Sequence, residues 1–189
     1  MLKVTAILLA AGLSRRMGED KLSFDYEGKS LLQRAVDLLS DLPVHRHIII
    51  TTDAGSKSIV LPPGIQLFVN KDPSAGLSGS VKLGVKKARG THYLFLNADQ
   101  PRLTLNDVYQ LLKIAKANPD KIIYPMINEK PCSPTIFPKS FRKQLLGLSG
   151  NKGGSVVRDA NEEYSIGAIP EHLNNFVDVD NMEDYRGLF

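Results

Sequence analysis

A loop of small residues and cations follows the first apolar run of the chain. Its small residues are Ala10, Ala11 and Gly12, and its cations include Arg16 and Lys21. Small residues allow backbone N–H groups to approach a polyphosphate closely. Arginine binds phosphate oxygens with two parallel donors, whereas lysine acts as a point charge. These residue types predict a triphosphate site in which Arg16 and Lys21 stabilise charge on a departing pyrophosphate.

Neither of two familiar glycine motifs describes this loop. A P-loop requires G-x-x-x-x-G-K-[ST], but Gly12 and Gly18 are separated by five residues and Glu19 follows. The dinucleotide fingerprint G-x-G-x-x-G is also absent. The alternative is a solvated loop with incidental arginines, and the coincidence of small residues with cations favours phosphate binding over it.

Two acidic residues are candidates for a metal site. Asp99 follows the apolar run 93–96, so we expect it at the carboxyl end of a strand, where open α/β sheets bind ligands. Asp180 follows the β-like segment 176–179, in which strand alternation would point Asp178 the same way. Carboxylates together with substrate phosphates bind Mg²⁺, so we predict a Mg²⁺ site on Asp99 and Asp180.

Both acids also have structural interpretations. Asp99 precedes Pro101, and aspartate and proline are common in turns. Asp180 could cap a helix that begins near Asn181. The sequence alone leaves the role of Asp180 more open than that of Asp99.

Strand-like and helical segments alternate along the chain. Strands are predicted at 3–9, 47–52, 65–69, 92–96 and 121–124, and helices after Ser30, within 76–84 and from Thr104. The alternation predicts a three-layer α/β/α, Rossmann-like fold with a mostly parallel sheet, organised as a single domain over 1–189.

Composition limits the classes of function. The 189 residues carry a formal net charge of +4, which suits anionic ligands but is too small to indicate a nucleic acid partner. The nearly apolar stretch 4–13 is too short to span a membrane. The single cysteine, Cys132, excludes an internal disulfide and favours the cytoplasm. Cys132 has no neighbouring base, and we expect His45 and His47 to be surface residues.

The loop from Leu9 to Lys21 matches every position of the signature L-A-A-G-x-S-x-R-M-G-x-x-K. In this the chain resembles the nucleotidyltransferases, specifically the molybdenum-cofactor cytidylyltransferases. Blocks at 76–84, 98–101 and 178–185 support the resemblance in order and spacing. Segments 134–146 and 150–154 resemble the region on the acceptor side of that family, although Asn151 replaces the usual aspartate.

The resemblance implies transfer of CMP from CTP to the phosphate of molybdopterin, with release of pyrophosphate. It implies catalytic roles for Arg16, Lys21 and Asp99, and Mg²⁺ on Asp99 and Asp180. The nucleotide-binding residues it implies are Leu9, Ala10, Ala11, Gly12, Ser14, Arg16, Lys21, Ser78, Ser80 and Asp99. CTP is expected because Ala11 stands where guanylyltransferases of this kind have glycine.

Three alternatives remain open at this stage. Two of them are enzymatic activities: guanylyl transfer to the same cofactor and nucleotidyl transfer to a sugar phosphate. In a different class, the chain would be a non-catalytic chaperone that delivers molybdopterin to a client molybdoenzyme. Such a binding module does not require two acids that converge on a metal.

Overall fold

The computed structural model describes residues 2–11 and 20–189. Its strands are β1 (Val4–Ala10), β2 (Asp25–Tyr26), β3 (Lys29–Ser30), β4 (Arg46–Thr51), β5 (Ile65–Val69), β6 (His92–Asn97), β7 (Ile122–Ile127), β8 (Lys130–Pro131), β9 (Thr135–Pro138) and β10 (Ser165–Ala168). Its α-helices are α1 (Leu31–Asp41), α2 (Asp53–Lys57), α3 (Leu77–Lys87), α4 (Leu105–Ala117), α5 (Arg142–Leu146), α6 (Gly154–Asp159) and α7 (Met182–Arg186). Short 3-10 helices span Lys21–Ser23, Pro73–Ala75, Lys139–Phe141, Glu162–Tyr164 and Leu173–Phe176.

Within the described residues, a sheet of eight strands has the order β10-β7-β9-β6-β1-β4-β5, with β8 paired to β7. Strand β1 is parallel to both of its neighbours, β4 and β6. The chain builds outward through β4 and β5 and then crosses back over β1 to form β6. This reversal places a topological switch point at the carboxyl end of β1, the usual ligand site of such sheets. The predicted α/β fold with a mostly parallel sheet is confirmed.

Successive residues of the central strands point to opposite faces of the sheet, and helices cover both faces. On one face, Ala6 and Leu8 pack with the apolar sides of α1 and α4. On the other, Ile7 packs with α3, α5 and α6 through residues such as Val81 and Leu145. Strands buried on both faces become continuous apolar runs, which is why β1, β4 and β6 were recognisable in the sequence.

The helix starts follow the expected capping chemistry. The Ser30 side chain accepts a hydrogen bond from the backbone of Gln33 at 3.1 Å and caps α1. Thr104 and Asp107 form a reciprocal capping box at the start of α4. Helix α3 begins after Gly76, whose φ of 86° lies in the region that favours glycine.

Several segments differ from the sequence expectation, which did not include β2, β3, β8, β9 or β10. Strand β9 was not predicted; it lies antiparallel between β6 and β7 because a tight turn at Asn128 and Glu129, both with positive φ, reverses the chain. The β-like segment 176–179 is not a strand. Phe176 ends a 3-10 helix, and Phe176 and Val179 are both buried, a spacing of three that strand alternation does not give.

Among residues 2–11 and 20–189, no helix combines the length and the hydrophobicity needed to cross a bilayer.

Candidate active site

The ammonium group of Lys21 lies between two carboxylates at the carboxyl edge of the sheet. Its Nζ is 2.8 Å from Oδ2 of Asp99 and 3.1 Å from Oδ1 of Asp180, and it donates to the carbonyl of Val179 at 2.7 Å. Burial alone would lower the pKa of Lys21, but the charges and hydrogen bonds of the two carboxylates raise it overall. The structure thus brings together three site residues that are far apart in sequence.

Asp99 is positioned by the turn that ends β6. The N–H of Ala98 donates to the carbonyl of Leu9 at 3.3 Å, which ties this turn to the end of β1. The carbonyl of Asp99 accepts the N–H of Val179 at 2.9 Å, which ties it to the C-terminal segment. These backbone bonds hold the Asp99 carboxylate at the switch point.

Asp180 is positioned by its buried neighbour Val179. Val179 packs with Tyr26, Leu31 and Leu188, and we call these four residues the C-terminal cluster. The cap of α7 is Asn181, whose side chain accepts the N–H groups of residues 183 and 184. Asp180 therefore does not cap that helix, and its carboxylate contacts Lys21 instead.

Gln100 is a residue of the site that sequence reasoning did not single out. Its amide donates to the carbonyl of Ser133 at 3.1 Å and to the carbonyl of Phe176 at 3.2 Å. The side chain is almost fully buried and joins the Asp99 turn, the approach to β9 and the C-terminal segment. Its place in the block 98–101 was visible, but its partners depend on tertiary structure.

The oxygen atoms of this site fit a divalent cation. Oδ1 of Asp99 is buried and has no hydrogen-bond partner among the described residues, which is costly for a carboxylate oxygen unless another ligand completes it. Mg²⁺ is commonly bound by one or two carboxylates together with water and substrate phosphates. In the described part of the chain, no group of three or more His, Cys, Asp or Glu side chains forms a metal cage. Asp99 and Asp180 therefore suit a cation that is shared with a nucleotide.

Asp178 lies near these carboxylates. Although it keeps exposed surface, protein atoms crowd its carboxyl group. This desolvation and the charges of Asp99 and Asp180 raise the pKa of Asp178 to about 7. The raised pKa reflects first the desolvation of this carboxyl group and then the negative charge beside it.

The described part of the predicted phosphate loop lies at the end of β1. Ala10 and Ala11 are buried, and the carbonyl of Ala10 accepts the Thr51 hydroxyl at 3.1 Å. Leu9 is half-buried beside Asn97 of β6. The predictions for Gly12, Ser14 and Arg16 fall on residues outside the described ranges.

Ser78 and Ser80 lie in the first turn of α3, as predicted, and both are almost fully buried. The N–H of Ser78 donates to the carbonyl of Gly150 at 3.1 Å. The hydroxyl oxygen of Ser80 accepts a hydrogen bond from the side-chain amide of Asn70 at 3.0 Å. Asn70 follows β5 at the same edge of the sheet and was not predicted as a site residue.

Much of the expected acceptor-side region belongs to the hydrophobic core. Ile136, Phe137 and Leu145 have no exposed surface, because β9 and α5 are packed inside the fold. Contact between these side chains and an acceptor is therefore excluded. The second half of the region is exposed at Asn151, beside the entry to α3, where a Cβ on Gly76 would lie 2.5 Å from Asn151 Oδ1.

Cys132, His45 and His47 are given no role in the chemistry of the site. Burial, with a further contribution from Asp178, raises the pKa of the Cys132 thiol, which disfavours the thiolate that a nucleophile requires. His45 is exposed, whereas His47 is half-buried and its Nε2 lies 2.9 Å from the carbonyl of Leu42.

Comparison with known proteins identifies the family of the chain. The family model described as a MobA-like NTP transferase domain matches residues 6–164. The chain belongs to this family. It is therefore a nucleotidyltransferase, and the family resemblance carried by the signature loop is confirmed.

Individual MobA-like relatives differ in the base they use. The chain is 26% identical to a probable molybdenum cofactor guanylyltransferase of Pyrococcus horikoshii, covering 97% of both chains. It is also 26% identical to the molybdenum cofactor cytidylyltransferase of Escherichia coli, covering 98% of this chain and 95% of that one. A solved nucleotidyl transferase from Methanothermobacter shares the fold with a TM-score of 0.81 at 17% identity, over 98% and 95% of the two chains.

Proposed function

We propose that this nucleotidyltransferase transfers CMP from CTP to the terminal phosphate of a molybdopterin-type acceptor and releases pyrophosphate. The observation that carries the proposal is the convergence of Lys21, Asp99 and Asp180 at the switch point of the sheet. Both 26%-identical relatives act on molybdenum cofactor, which supports the acceptor.

We propose that Asp99 and Asp180 hold Mg²⁺ when a nucleotide is bound. Bound there, Mg²⁺ would neutralise the negative charge of the triphosphate during transfer. Asp99 offers an oxygen that has no hydrogen-bond partner within residues 2–11 and 20–189, and Asp180 offers a carboxylate that is more than half exposed. Lys21 would then leave the carboxylates and contact the polyphosphate.

In the transfer, an oxygen of the acceptor phosphate forms a bond to the α-phosphorus of CTP. The bond from that phosphorus to the bridging oxygen of the β-phosphate breaks, and pyrophosphate leaves with the electron pair. A phosphate monoester is largely dianionic at neutral pH, so no strong base is needed. The chain contributes position and positive charge, with Lys21 and Arg16 stabilising the leaving pyrophosphate.

The choice of CTP rests on Ala11 and on the compact start of α3. Ala11 is buried at the end of β1, where its methyl group reduces the space available to a base. Ser78 and Ser80 have small, buried side chains at the start of α3, which we propose as the other wall of the base pocket. A small pocket favours a pyrimidine over a purine, which supports cytidylyl transfer over guanylyl transfer.

The test is to incubate the purified protein with molybdopterin, Mg²⁺ and each of the four triphosphates while pyrophosphate is measured. We expect release with CTP, and its loss when Mg²⁺ is chelated. Release of pyrophosphate with GTP alone would show that the activity is guanylyl transfer and not cytidylyl transfer. Release only when a sugar phosphate replaces molybdopterin would overturn the acceptor. Binding of molybdopterin without any release would support the non-catalytic chaperone.

A further inference from the structure

The side-chain amide of Asn70 is fixed in one orientation. Its Oδ1 accepts the backbone N–H of Asp72 at 3.1 Å, and its Nδ2 donates to the hydroxyl of Ser80 at 3.0 Å. Asn70 is 9% exposed, and its own N–H donates to the carbonyl of Thr51 at 2.8 Å. Because a backbone N–H can only donate, the oxygen of the amide must face Asp72 and the nitrogen must face Ser80.

This orientation decides what the Ser80 hydroxyl can offer. A hydroxyl has one donor hydrogen and two acceptor lone pairs, and Asn70 uses one lone pair. In the part of the chain that the structure describes, the Ser80 hydroxyl donates to no partner. Its hydrogen is therefore directed to something other than Asn70, and Ser80 acts as a donor.

Ser80 lies where helix α3 crosses the ends of the central strands. One turn further along, Gly84 packs so closely that a Cβ there would lie 2.7 Å from Ile7 of β1 and 3.6 Å from Ile50 of β4. The parallel strands run from that contact toward Ala10 and Thr51, and α3 runs the opposite way. Ser80 therefore lies on the side of this contact that faces the carboxyl ends of β1 and β4.

We infer that Asn70 determines which base the enzyme accepts, by holding the Ser80 hydroxyl as a hydrogen-bond donor. The inference rests on the proposed function, in which the base lies between β1 and α3. Cytosine presents two adjacent acceptors, O2 and N3, which match a donor. Guanine presents N1–H and N2–H₂ donors on the corresponding edge, and these would face the Ser80 hydrogen without a partner. Unpaired polar groups in a buried site reduce affinity strongly.

Replacement of the Asn70 amide by a carboxylate reverses the hydrogen bond. In Asn70→Asp, one oxygen still accepts the N–H of Asp72, and the other accepts the hydrogen of Ser80. The Ser80 hydroxyl then presents only lone pairs to the base, which suits guanine. The added negative charge weakens the binding of both CTP and GTP. The informative quantity is therefore the ratio of kcat/KM for CTP to kcat/KM for GTP. One net hydrogen bond corresponds to a change of about tenfold in this ratio.

The experiment measures that ratio, and the CTP and GTP dissociation constants without acceptor, in a double-mutant cycle. The variants are Asn70→Asp, Ser80→Ala and their combination, with Asn106→Asp at an exposed position of α4 as a control for the same change of charge. We expect Asn70→Asp to lower the ratio about tenfold in the presence of Ser80, and to have little effect on it in the Ser80→Ala background. Asn106→Asp should leave the ratio unchanged.

Several outcomes would overturn the inference. These are an unchanged ratio in Asn70→Asp, an equal effect of Asn70→Asp with and without Ser80, and a preference of the unchanged protein for GTP. None of these outcomes contradicts nucleotidyl transfer as the activity of the protein. A protein that transfers neither CMP nor GMP would contradict the proposed function. If Asn70→Asp does not fold, Asn70→Ala takes its place, because it also removes the amide that fixes the orientation of the Ser80 hydroxyl. The ratio of kcat/KM for CTP to that for GTP should then fall. An unchanged ratio would contradict the role of Asn70.

Discussion

At the scale of single residues, the site is a set of oxygen atoms arranged around one cation. Lys21 fills that position in the structure, with three oxygen contacts between 2.7 and 3.1 Å. Asp99 and the signature loop could be predicted because strand ends and small residues are visible in sequence. Gln100 and Asn70 could not, because a carboxamide has no role until the fold decides which carbonyl or hydroxyl lies beside it.

The first prediction at this scale concerns Asp99. Asp99→Asn removes a negative charge from the cation site but keeps the size of the side chain. We expect turnover to fall on the order of 100-fold, with the melting temperature nearly unchanged. Steady-state kinetics and thermal melting check this, with Asp41→Asn at the exposed end of α1 as the matched control. Near-normal turnover in Asp99→Asn would remove Asp99 from the mechanism.

The second prediction concerns Lys21. Without nucleotide, its ammonium competes with a metal ion for Asp99 and Asp180. We expect Lys21→Met to bind Mg²⁺ about tenfold more tightly in calorimetry without nucleotide, equivalent to ~1.4 kcal/mol. The same variant should transfer nucleotide more slowly, since the charge on pyrophosphate is no longer stabilised.

Lys57→Met provides the control, because Lys57 is an exposed cation on α2. Its affinity for Mg²⁺ should match that of the unchanged protein. Equal or weaker Mg²⁺ binding by Lys21→Met would show that the ammonium and the metal do not share a position.

At the scale of elements, loops and helix ends position the chemistry, and the sheet holds them in register. The helices α1 and α4 were predictable from their caps and apolar faces. Strand β9 was missed because Asn128 and Glu129 make a tight reversal without glycine. The extended appearance of 176–179 was misleading because Phe176 packs into the core on the α1 and α4 face, whereas Val179 packs into the C-terminal cluster. Among the described strands, none pairs with this segment.

The contact of α3 with the sheet gives a prediction at this scale. In Gly84→Ala, the new methyl group would lie 2.7 Å from Cγ2 of Ile7, in a core that cannot yield freely. We expect a loss of about 1–3 kcal/mol in the free energy of unfolding, and weaker nucleotide binding because α3 moves away from β1. Denaturant unfolding and calorimetry measure the two effects.

The same helix supplies the control. In Gly79→Ala, the nearest atom to the new methyl group would be Asn70 Nδ2 at 3.4 Å, and alanine favours the helix. Its stability should be equal or higher. A stable Gly84→Ala with normal nucleotide affinity would mean that α3 has room to adjust.

At the scale of the whole molecule, the two ends of the parallel strands differ in their chemistry. The carboxyl ends of the parallel strands carry the charged site, while the opposite edge includes a buried histidine that is held by neutral hydrogen bonds. At that edge His92 is buried, with Nε2 at 2.8 Å from the carbonyl of Pro119 and Nδ1 at 2.9 Å from the Thr91 hydroxyl. These contacts join the start of β6 to the loop before β7.

His92 gives the molecule a predictable pH dependence. Burial lowers the pKa of His92 below 6.5, although the carbonyl of Pro119 and the charge of Asp120 oppose the shift. Below pH 6.5 the unfolded chain takes up a proton that the folded chain resists. Stability should therefore be full above pH 6.5, fall as the pH drops toward the folded pKa, and level off below it.

Thermal melting over this range, compared with His92→Gln, checks the assignment. The variant is expected to be less stable at neutral pH, but it should lose less stability on acidification than the unchanged protein. Parallel pH profiles for the two proteins would assign the acid sensitivity to other groups.

The C-terminal cluster makes the active site less stable than the sheet that supports it. Tyr26, Leu31, Val179 and Leu188 form a small core of their own, separate from the two clusters on the faces of the sheet. Few buried contacts must break for the segment with Asp180 to separate, so local opening there should need less free energy than global unfolding. In native-state hydrogen exchange, the amide of Val179 should exchange faster than that of Ile7, and bound nucleotide with Mg²⁺ should slow the exchange of Val179. The protein would then exist as a permanent scaffold whose reaction centre assembles and separates many times within the lifetime of the folded state.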